Sequence, residues 1–267
     1  MEKFRDTYGS EAEEYHLESN NKKIMMQMPV VHQINYDAKI RELALYAPHR
    51  LKSAGGLNDD SNHSIALPID DEIAAMSVEK AITSRISTRR FSKSPLPLSK
   101  LAKVLFLANG VRKDNAAINR LPISRNVPNS GGLGSVEIYC FCLNVENVDA
   151  GLYYFDSVDH ELRLFKKGHF GTWLSEFVCL QYEASEPAVV LVLTSSIGRL
   201  STKYGPRSYR LGLLDTGHVS NNVYLTCTAL NLNVFAFGGF VDDELNRALE
   251  LEGLDQCAFL CLGVGCS

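Results

Sequence analysis

The sequence predicts an α+β fold with one sheet covered by helices, on three observations. Apolar runs of strand length, SVEIYCFCL, AVVLVLTSS, NVFAFGGF and AFLCLGVG, crowd the second half of the chain. PLSKLAKVLFLANG and residues 209–231 carry their apolar residues at helical spacing instead. The two kinds of segment mix without regular βαβ alternation, so a doubly wound parallel sheet is not expected. The 267 residues suffice for one large domain with a sizeable core, and an apolar fraction of 45% against 22% charged places the chain among ordinary globular proteins.

Taken in order, the chain opens with a polar helix to about residue 25. Residues 29–70 then scatter Pro, Gly, Asn and Asp with little periodicity. Residues 1–70 are read as a helix and extended arm making dimer or partner contacts, and residues 71–267 as the folded domain. There SVEKAITSR is a short helix. In PLSKLAKVLFLANG, Leu101, Val104, Leu105 and Ala108 share a face and Gly110 supplies a stop. SVEIYCFCL is a buried strand with Cys140 and Cys142 on one side, and GLYYF and ELRLF flank DSVDH as a hairpin. HFGTWLSEFVCLQY is helical and AVVLVLTSS is a central strand. TKYGPRSYR, residues 202–210, is a connector with a turn into the longest helix. NVFAFGGF, DDELNRALEL and AFLCLGVG follow as strand, helix and strand.

A net charge of -4 argues against a general nucleic-acid binder and leaves room for a local basic pocket. No apolar run reaches the roughly 18 residues of a spanning helix, and the opening MEKFRDTYGSEAEEYH is too charged for a signal peptide. A cytoplasmic protein with neither nucleic-acid nor membrane partners is expected. Seven cysteines, an odd number with no CxxC pair, read as buried thiols rather than disulfides or a zinc site, so no metal is expected.

Three constellations could carry chemistry. Arg85, Ser87 and Arg89 alternate, so two guanidinium groups and a hydroxyl point one way on an extended segment. Such a set suits a phosphate, and the same spacing also fits a solvated basic turn. The small residues of RNVPNSGGL, Arg125 to Leu133, let backbone N–H groups approach a planar ligand or an anion, or simply turn the chain into the strand bearing Glu137. Gly238 and Gly239 follow a strand end, where ligands bind and where turns also occur. The connector carries Lys203, Tyr204, Arg207, Tyr209 and Arg210, more than a bare turn requires. Asp215 and His218 share a helix face and read as a pair orienting the helix or the connector.

In sequence order stand RISTRRF, PNSGG with Glu137 nine residues after Pro128, GLYYFD, KYGPRSYR, LLDTGHVSNN, FGGFVDDEL and a final VG. This series resembles the nitroreductase-like flavoproteins. It is most similar to their SagB-type dehydrogenase branch, the azoline oxidases of thiazole- and oxazole-modified peptide biosynthesis, which includes microcin-type antibiotics. The resemblance covers about residues 77–265, and YHLES, Tyr15 to Ser19, is similar to the start of that branch. It implies a nitroreductase-like fold: a central mixed β-sheet flanked by helices, in a homodimer with FMN at the interface. It implies that Arg85, Ser87 and Arg89 hold the ribityl phosphate and the pyrimidine edge. Pro128, Asn129, Ser130 and Gly131 would reach the flavin from the partner subunit, and Gly238 and Gly239 would lie near its reactive nitrogen.

The resemblance makes Lys203 and Tyr204 the catalytic pair. Oxidising an azoline ring removes a hydride and a proton. FMN takes the first, the pair takes the second, and oxygen reoxidises the flavin. Lysine and tyrosine ordinarily titrate at about 10, so such a base needs perturbing neighbours. The loop departs from the branch in having Asn129 where a serine is usual, and Gly134 and Ser135 in place of a Tyr-Pro pair. The sequence ends at VGCS, without the basic tail of many nitroreductases, so Arg85 and Arg89, with Arg210, are expected to carry the phosphate charge. The implied partners are an azoline-containing precursor peptide and a YcaO-type cyclodehydratase complex. The competing readings are a stand-alone relative of non-ribosomal peptide synthetase oxidation domains, an NAD(P)H-dependent nitro or enone reductase, and a flavin-binding scaffold without turnover.

Overall fold

A computed structural model describes residues 64–68, 76–112, 124–251, 253 and 255–267. The expected N-terminal helix, the Tyr15 to Ser19 motif and most of the 29–70 arm lie outside the described residues. The elements run β1 (Ser64–Ala66), α1 (Val78–Ser84), α2 (Leu98–Asn109), β2 (Val111–Arg112), β3 (Ser124–Arg125), β4 (Val136–Cys142), β5 (Gly151–Asp156) and β6 (Glu161–Lys167). Next come α3 (Gly171–Trp173), continued by a π-helical turn over Leu174–Val178, then β7 (Val189–Ser196), α4 (Ile197–Tyr204) and α5 (Ser208–Ala229). The chain closes with β8 (Leu232–Phe237), α6 (Asp242–Ala248) and β9 (Gln256–Cys266).

Seven strands form one sheet in the order β1-β6-β5-β4-β7-β9-β8, so the sheet begins within residues read as the arm. Every described ladder in it is antiparallel. The parallel component expected of a mixed sheet is, among the described residues, an isolated bridge between Leu96 and Val145. The reason is topological. β7 and β8 are joined by helices and point the same way, as a crossover requires, but β9 lies between them and runs against both.

Both faces of the sheet are covered, which is why β4 and β7 are buried along their whole length. On one face Ile138, Cys140 and Cys142 of β4 and Leu191 and Leu193 of β7 pack with Leu101, Val104, Leu105 and Ala108 of α2 and Val219 and Val223 of α5. On the other face Tyr139 and Phe141 meet Leu174 and Val178 of the π-turn and Leu245 of α6. The period of two along β4 thus assigns successive side chains to different cores.

The helices match their spacing, with α5 within two residues of the expected span. The connector does not. It is helical from Ile197 to Tyr204, and the chain turns only at Gly205, whose φ of 53° ends α4, before Pro206 opens a 3-10 turn. Six of the seven cysteines are buried and none is disulfide-bonded. Burial pushes the Cys142 and Cys179 thiols up to about 12, which keeps them protonated and unreactive. No helix among the described residues is long and apolar enough to cross a membrane.

Candidate active site

The loop before β4 is held first by its own side chains. Asn129 Oδ1 accepts from the Gly134 N–H (2.9 Å), and Asn129 Nδ2 donates to the Val127 carbonyl (3.4 Å). Ser130–Gly132 form a kinked turn in which Gly131 takes φ 63°, a left-handed conformation that favours glycine. Space is also lacking: a Cβ at Gly131 would collide with Tyr204 Oη and lie 2.8 Å from Lys203 Nζ. At Gly134, with φ 58°, a Cβ would lie 2.5 Å from Arg125 Nε.

Two buried carboxylates brace this loop. Asp215 of α5 accepts from the Ser130 N–H at both oxygens (3.0 and 3.1 Å), from Ser130 Oγ (2.8 Å) and from Ser135 Oγ (2.9 Å). Glu137 of β4 pairs with Arg199 of α4 (Oε1 to Nη2, 2.5 Å) and accepts from Tyr154 Oη (2.7 Å). Arg199 Nη1 also donates to the Gly134 carbonyl (2.6 Å), so one guanidinium joins loop, strand and helix. Burial, with Glu137 beside it, holds the Tyr154 phenol well above its ordinary range, so it remains a donor. Arg125, buried behind the loop, donates to the Asn109 carbonyl and to Ser157 Oγ (2.8 Å each). Desolvation and then the neighbouring Arg199 lower its pKa.

Lys203 and Tyr204 occupy the last turn of α4, half-buried, with Lys203 Nζ 5.4 Å from the centre of the Tyr204 ring. Arg199 and Lys203 are four residues apart and share a helix face, so the buried Glu137 pairing orients the helix that carries the pair. Tyr209 packs edge-on against Phe259 at 5.2 Å, a packing role.

Arg85, Ser87 and Arg89 run alongside β8. Arg85 Nη1 donates to Ser87 Oγ (3.4 Å), and the guanidinium lies over the Tyr224 ring at 5.5 Å. Ser87 Oγ shares a hydrogen bond with Tyr224 Oη (3.1 Å), which accepts from the Ala236 N–H (2.7 Å). Arg89 lies over Phe235 at 5.3 Å. Tyr224 packs on the α5 side of the sheet and Phe235 on the other, so the two arginines flank β8 from opposite faces instead of pointing one way as their spacing predicts. Gly238 and Gly239 follow β8 directly and are exposed. A Cβ there would meet nothing closer than Leu260 Cδ1 at 4.0 Å and Gln181 Nε2 at 3.6 Å, respectively.

The loop and α4 lie at one end of the sheet, and the β8 cluster lies away from it along the strands. Val136 faces Ser195 and Ser196 faces Gln256, so the loop and α4 leave from the same edge, whereas Phe237 faces Cys261, in the middle of β9, so Gly238 leaves short of that edge. Tyr224 and Ala236 hold Ser87 beside β8, and the Thr88 N–H donates to the Val234 carbonyl (3.0 Å), toward the opposite end of the sheet. Within one chain they form two clusters, one on β4 and α4 and the other beside β8, three strand spacings or roughly 14–15 Å apart across the sheet and further offset along it. The motifs in the sequence marked both clusters but missed what holds the first. Asp215 spends its carboxylate on the loop rather than on His218, which is exposed on α5.

The sequence pattern described as the Nitroreductase family matches residues 82–265. The chain belongs to the nitroreductase family. This nitroreductase-family chain is 29% identical over 188 residues to MJ1384 of Methanocaldococcus jannaschii, a protein named as a nitroreductase, covering 70% of this chain and 90% of that one. It is 23% identical over 193 residues to the trifolitoxin operon protein TfxC of Rhizobium leguminosarum bv. trifolii, covering 68% of this chain and 53% of TfxC. A crystal structure of a nitroreductase-named protein from Anabaena variabilis superposes with a TM-score of 0.61 at 27% identity, over 76% of this chain and 40% of that one. Another from Ralstonia eutropha gives 0.64 at 23% identity, over 79% and 92%. A chain of the E. coli microcin synthetase McbBCD complex with truncated pro-MccB17 bound gives 0.57 at 17% identity, over 96% and 91%. The fold is therefore nitroreductase-like, and the family is one of flavin-dependent oxidoreductases. The residues present fit a flavin mononucleotide: Arg85, Ser87 and Arg89 are exposed donors, divided between the two faces of β8, for a phosphate and for the polar edge of a ring, and Gly238 and Gly239 leave open space at the backbone.

Proposed function

We propose that this chain is an FMN-dependent azoline oxidase of the SagB-type branch, acting on thiazoline or oxazoline rings of a ribosomally made peptide. The observation that carries the reading is the close contact of Gly131 with both Lys203 and Tyr204, which sets an adjacent lysine–tyrosine pair against a glycine loop. Similarity to TfxC, a trifolitoxin operon protein, supports a peptide-modification setting, and the fold recurs in a microcin synthetase. Bound FMN supplies the hydride acceptor. Arg85, Ser87 and Arg89 would hold its ribityl phosphate and pyrimidine edge through charge-assisted hydrogen bonds, and Gly238 and Gly239 leave room for it at the backbone. The chain's own chemistry is the proton. Aromatisation removes a hydride from one ring carbon and a proton from its neighbour, and Lys203 Nζ or Tyr204 Oη takes that proton.

The purified protein is expected to be yellow and to release FMN, not FAD, on denaturation, because the sequence has a phosphate set and no dinucleotide fingerprint. A protein that stays colourless with added FMN would sink the flavin assignment. The decisive assay combines the chain with its precursor peptide and a YcaO-type cyclodehydratase. The expected result is a mass loss of two hydrogens per ring. Unchanged azolines together with NAD(P)H-dependent reduction of a nitro compound would establish the reductase reading instead.

A second copy completes each site in this proposal. Lys203 and Tyr204 touch the Pro128 to Gly131 loop of their own chain and lie across the sheet from the Arg85 cluster. If the loop serves the partner's flavin, the pair goes with it. Arg85→Ala and Lys203→Ala homodimers should then both be inactive, while a co-expressed heterodimer of the two regains about half the wild-type rate, having one intact site of two. No recovery would mean that each chain builds its site alone.

A further inference from the structure

We infer that Asp215 is a positioning residue for the Lys203–Tyr204 pair, acting through the Ser130–Gly131 turn, an inference that rests on the proposed azoline oxidation. Asp215 lies in the interior of α5 and is buried, and its partners among the described residues are all neutral donors of one loop: the Ser130 N–H, Ser130 Oγ and Ser135 Oγ. The helix gains nothing from an aspartate there, since aspartate is a weak helix former and a buried one is costly unless hydrogen-bonded. The loop accounts for it. Gripping both the N–H and the hydroxyl of Ser130 fixes that residue in orientation as well as position, and hydrogen bonds to a carboxylate are the stronger kind.

Gly131 is the next residue, and its turn leaves no room for a Cβ beside Lys203 Nζ and Tyr204 Oη. The far end of the loop is tied at the Gly134 carbonyl to Arg199, one helical turn from Lys203. The loop is thus the wall against which both reacting side chains are set, and Asp215 determines where that wall stands. Displacement by as little as about 1 Å is enough to cost up to about a hundredfold in rate.

Two variants and two readouts test this. Asp215→Asn keeps the shape but turns one acceptor oxygen into a donor. Ser135→Ala removes a single donor and leaves the carboxylate intact, and it carries the test if Asp215→Asn does not fold. The first readout, amide hydrogen exchange in the FMN-loaded protein, needs no substrate. Exchange at Gly131 to Gly134 should quicken by about tenfold or more in Asp215→Asn and less in Ser135→Ala, with the β4 and β7 amides unchanged. The second readout is azoline oxidation with substrate deuterated at the carbon that loses the proton. A misplaced pair slows proton removal, so kcat falls about ten- to a hundredfold, KM changes little and the isotope effect on kcat rises. A variant that is merely less folded loses rate with the isotope effect unchanged. Wild-type exchange at Gly131 to Gly134 in the folded variants, or a rate loss without a larger isotope effect, overturns the inference. If the wild type oxidises no azoline, the proposed function falls, and the exchange result alone upholds or overturns the grip of Asp215 on the loop.

Discussion

Lys203→Ala and Tyr204→Phe should each lose azoline oxidation by about 10²-fold or more, the usual scale for general acid–base catalysis, while keeping FMN and the dimeric state. The two side chains meet at the same glycine, with Nζ 5.4 Å from the Tyr204 ring centre, so they are expected to act as a unit. The double variant should then be little worse than the more damaged single one. Lys203→Arg separates two roles. Arginine stays protonated, so activity vanishes if lysine is the base and largely survives if lysine is only a positive charge beside Tyr204. Steady-state oxidation measured with FMN content held equal decides the matter. Variants that all turn over normally would make the pair structural and remove the main support for azoline chemistry.

Breaking the buried pair of Glu137 and Arg199 should cost the most stability. Arg199→Met leaves a buried carboxylate without its guanidinium, and Glu137→Leu leaves the reverse, so each should destabilise by about 3–5 kcal/mol. The double variant should lie closer to the wild type than either single, because two apolar side chains leave no unpaired buried charge. Urea unfolding midpoints of the four proteins complete the cycle. Single variants that unfold at the wild-type midpoint would show that the pair contributes nothing net. Arg199→Met also frees the Gly134 carbonyl and one turn of α4, so what folded protein remains should oxidise azolines more slowly.

Much of the fold was legible because its signals are local. Ile138, Cys140 and Cys142 alternate with Tyr139 and Phe141, and that period of two needs only the pleat of a strand to place them in separate cores. The spacing of Leu101, Val104, Leu105 and Ala108 likewise needs only the turn of a helix. The connector misled because Gly205 and Pro206 read as a turn for the whole stretch. Their effect begins only after Tyr204, and the residues before them complete a helix tied to β4 through Arg199 and packed on Leu133 of the loop through Leu200.

At the candidate site, the residues proposed to meet a ligand stand out by chemistry and order: Arg85, Ser87, Arg89, the glycines and the Lys203–Tyr204 pair. What holds them does not. Asp215 meets Ser130 across 85 positions of sequence, and Arg199 meets Glu137 across 62. No period or spacing encodes such pairings. They exist because β4, α4 and α5 converge at one end of the sheet, where a buried carboxylate is tolerated only beside donors that the chain brings back from far away. The sequence by itself therefore determined most of the strands and helices and singled out the candidate side chains. The tertiary structure alone decided that Gly131 stands against Lys203 and Tyr204 and that Arg85 stands apart from them, because strand order, not sequence order, sets which loops share an edge.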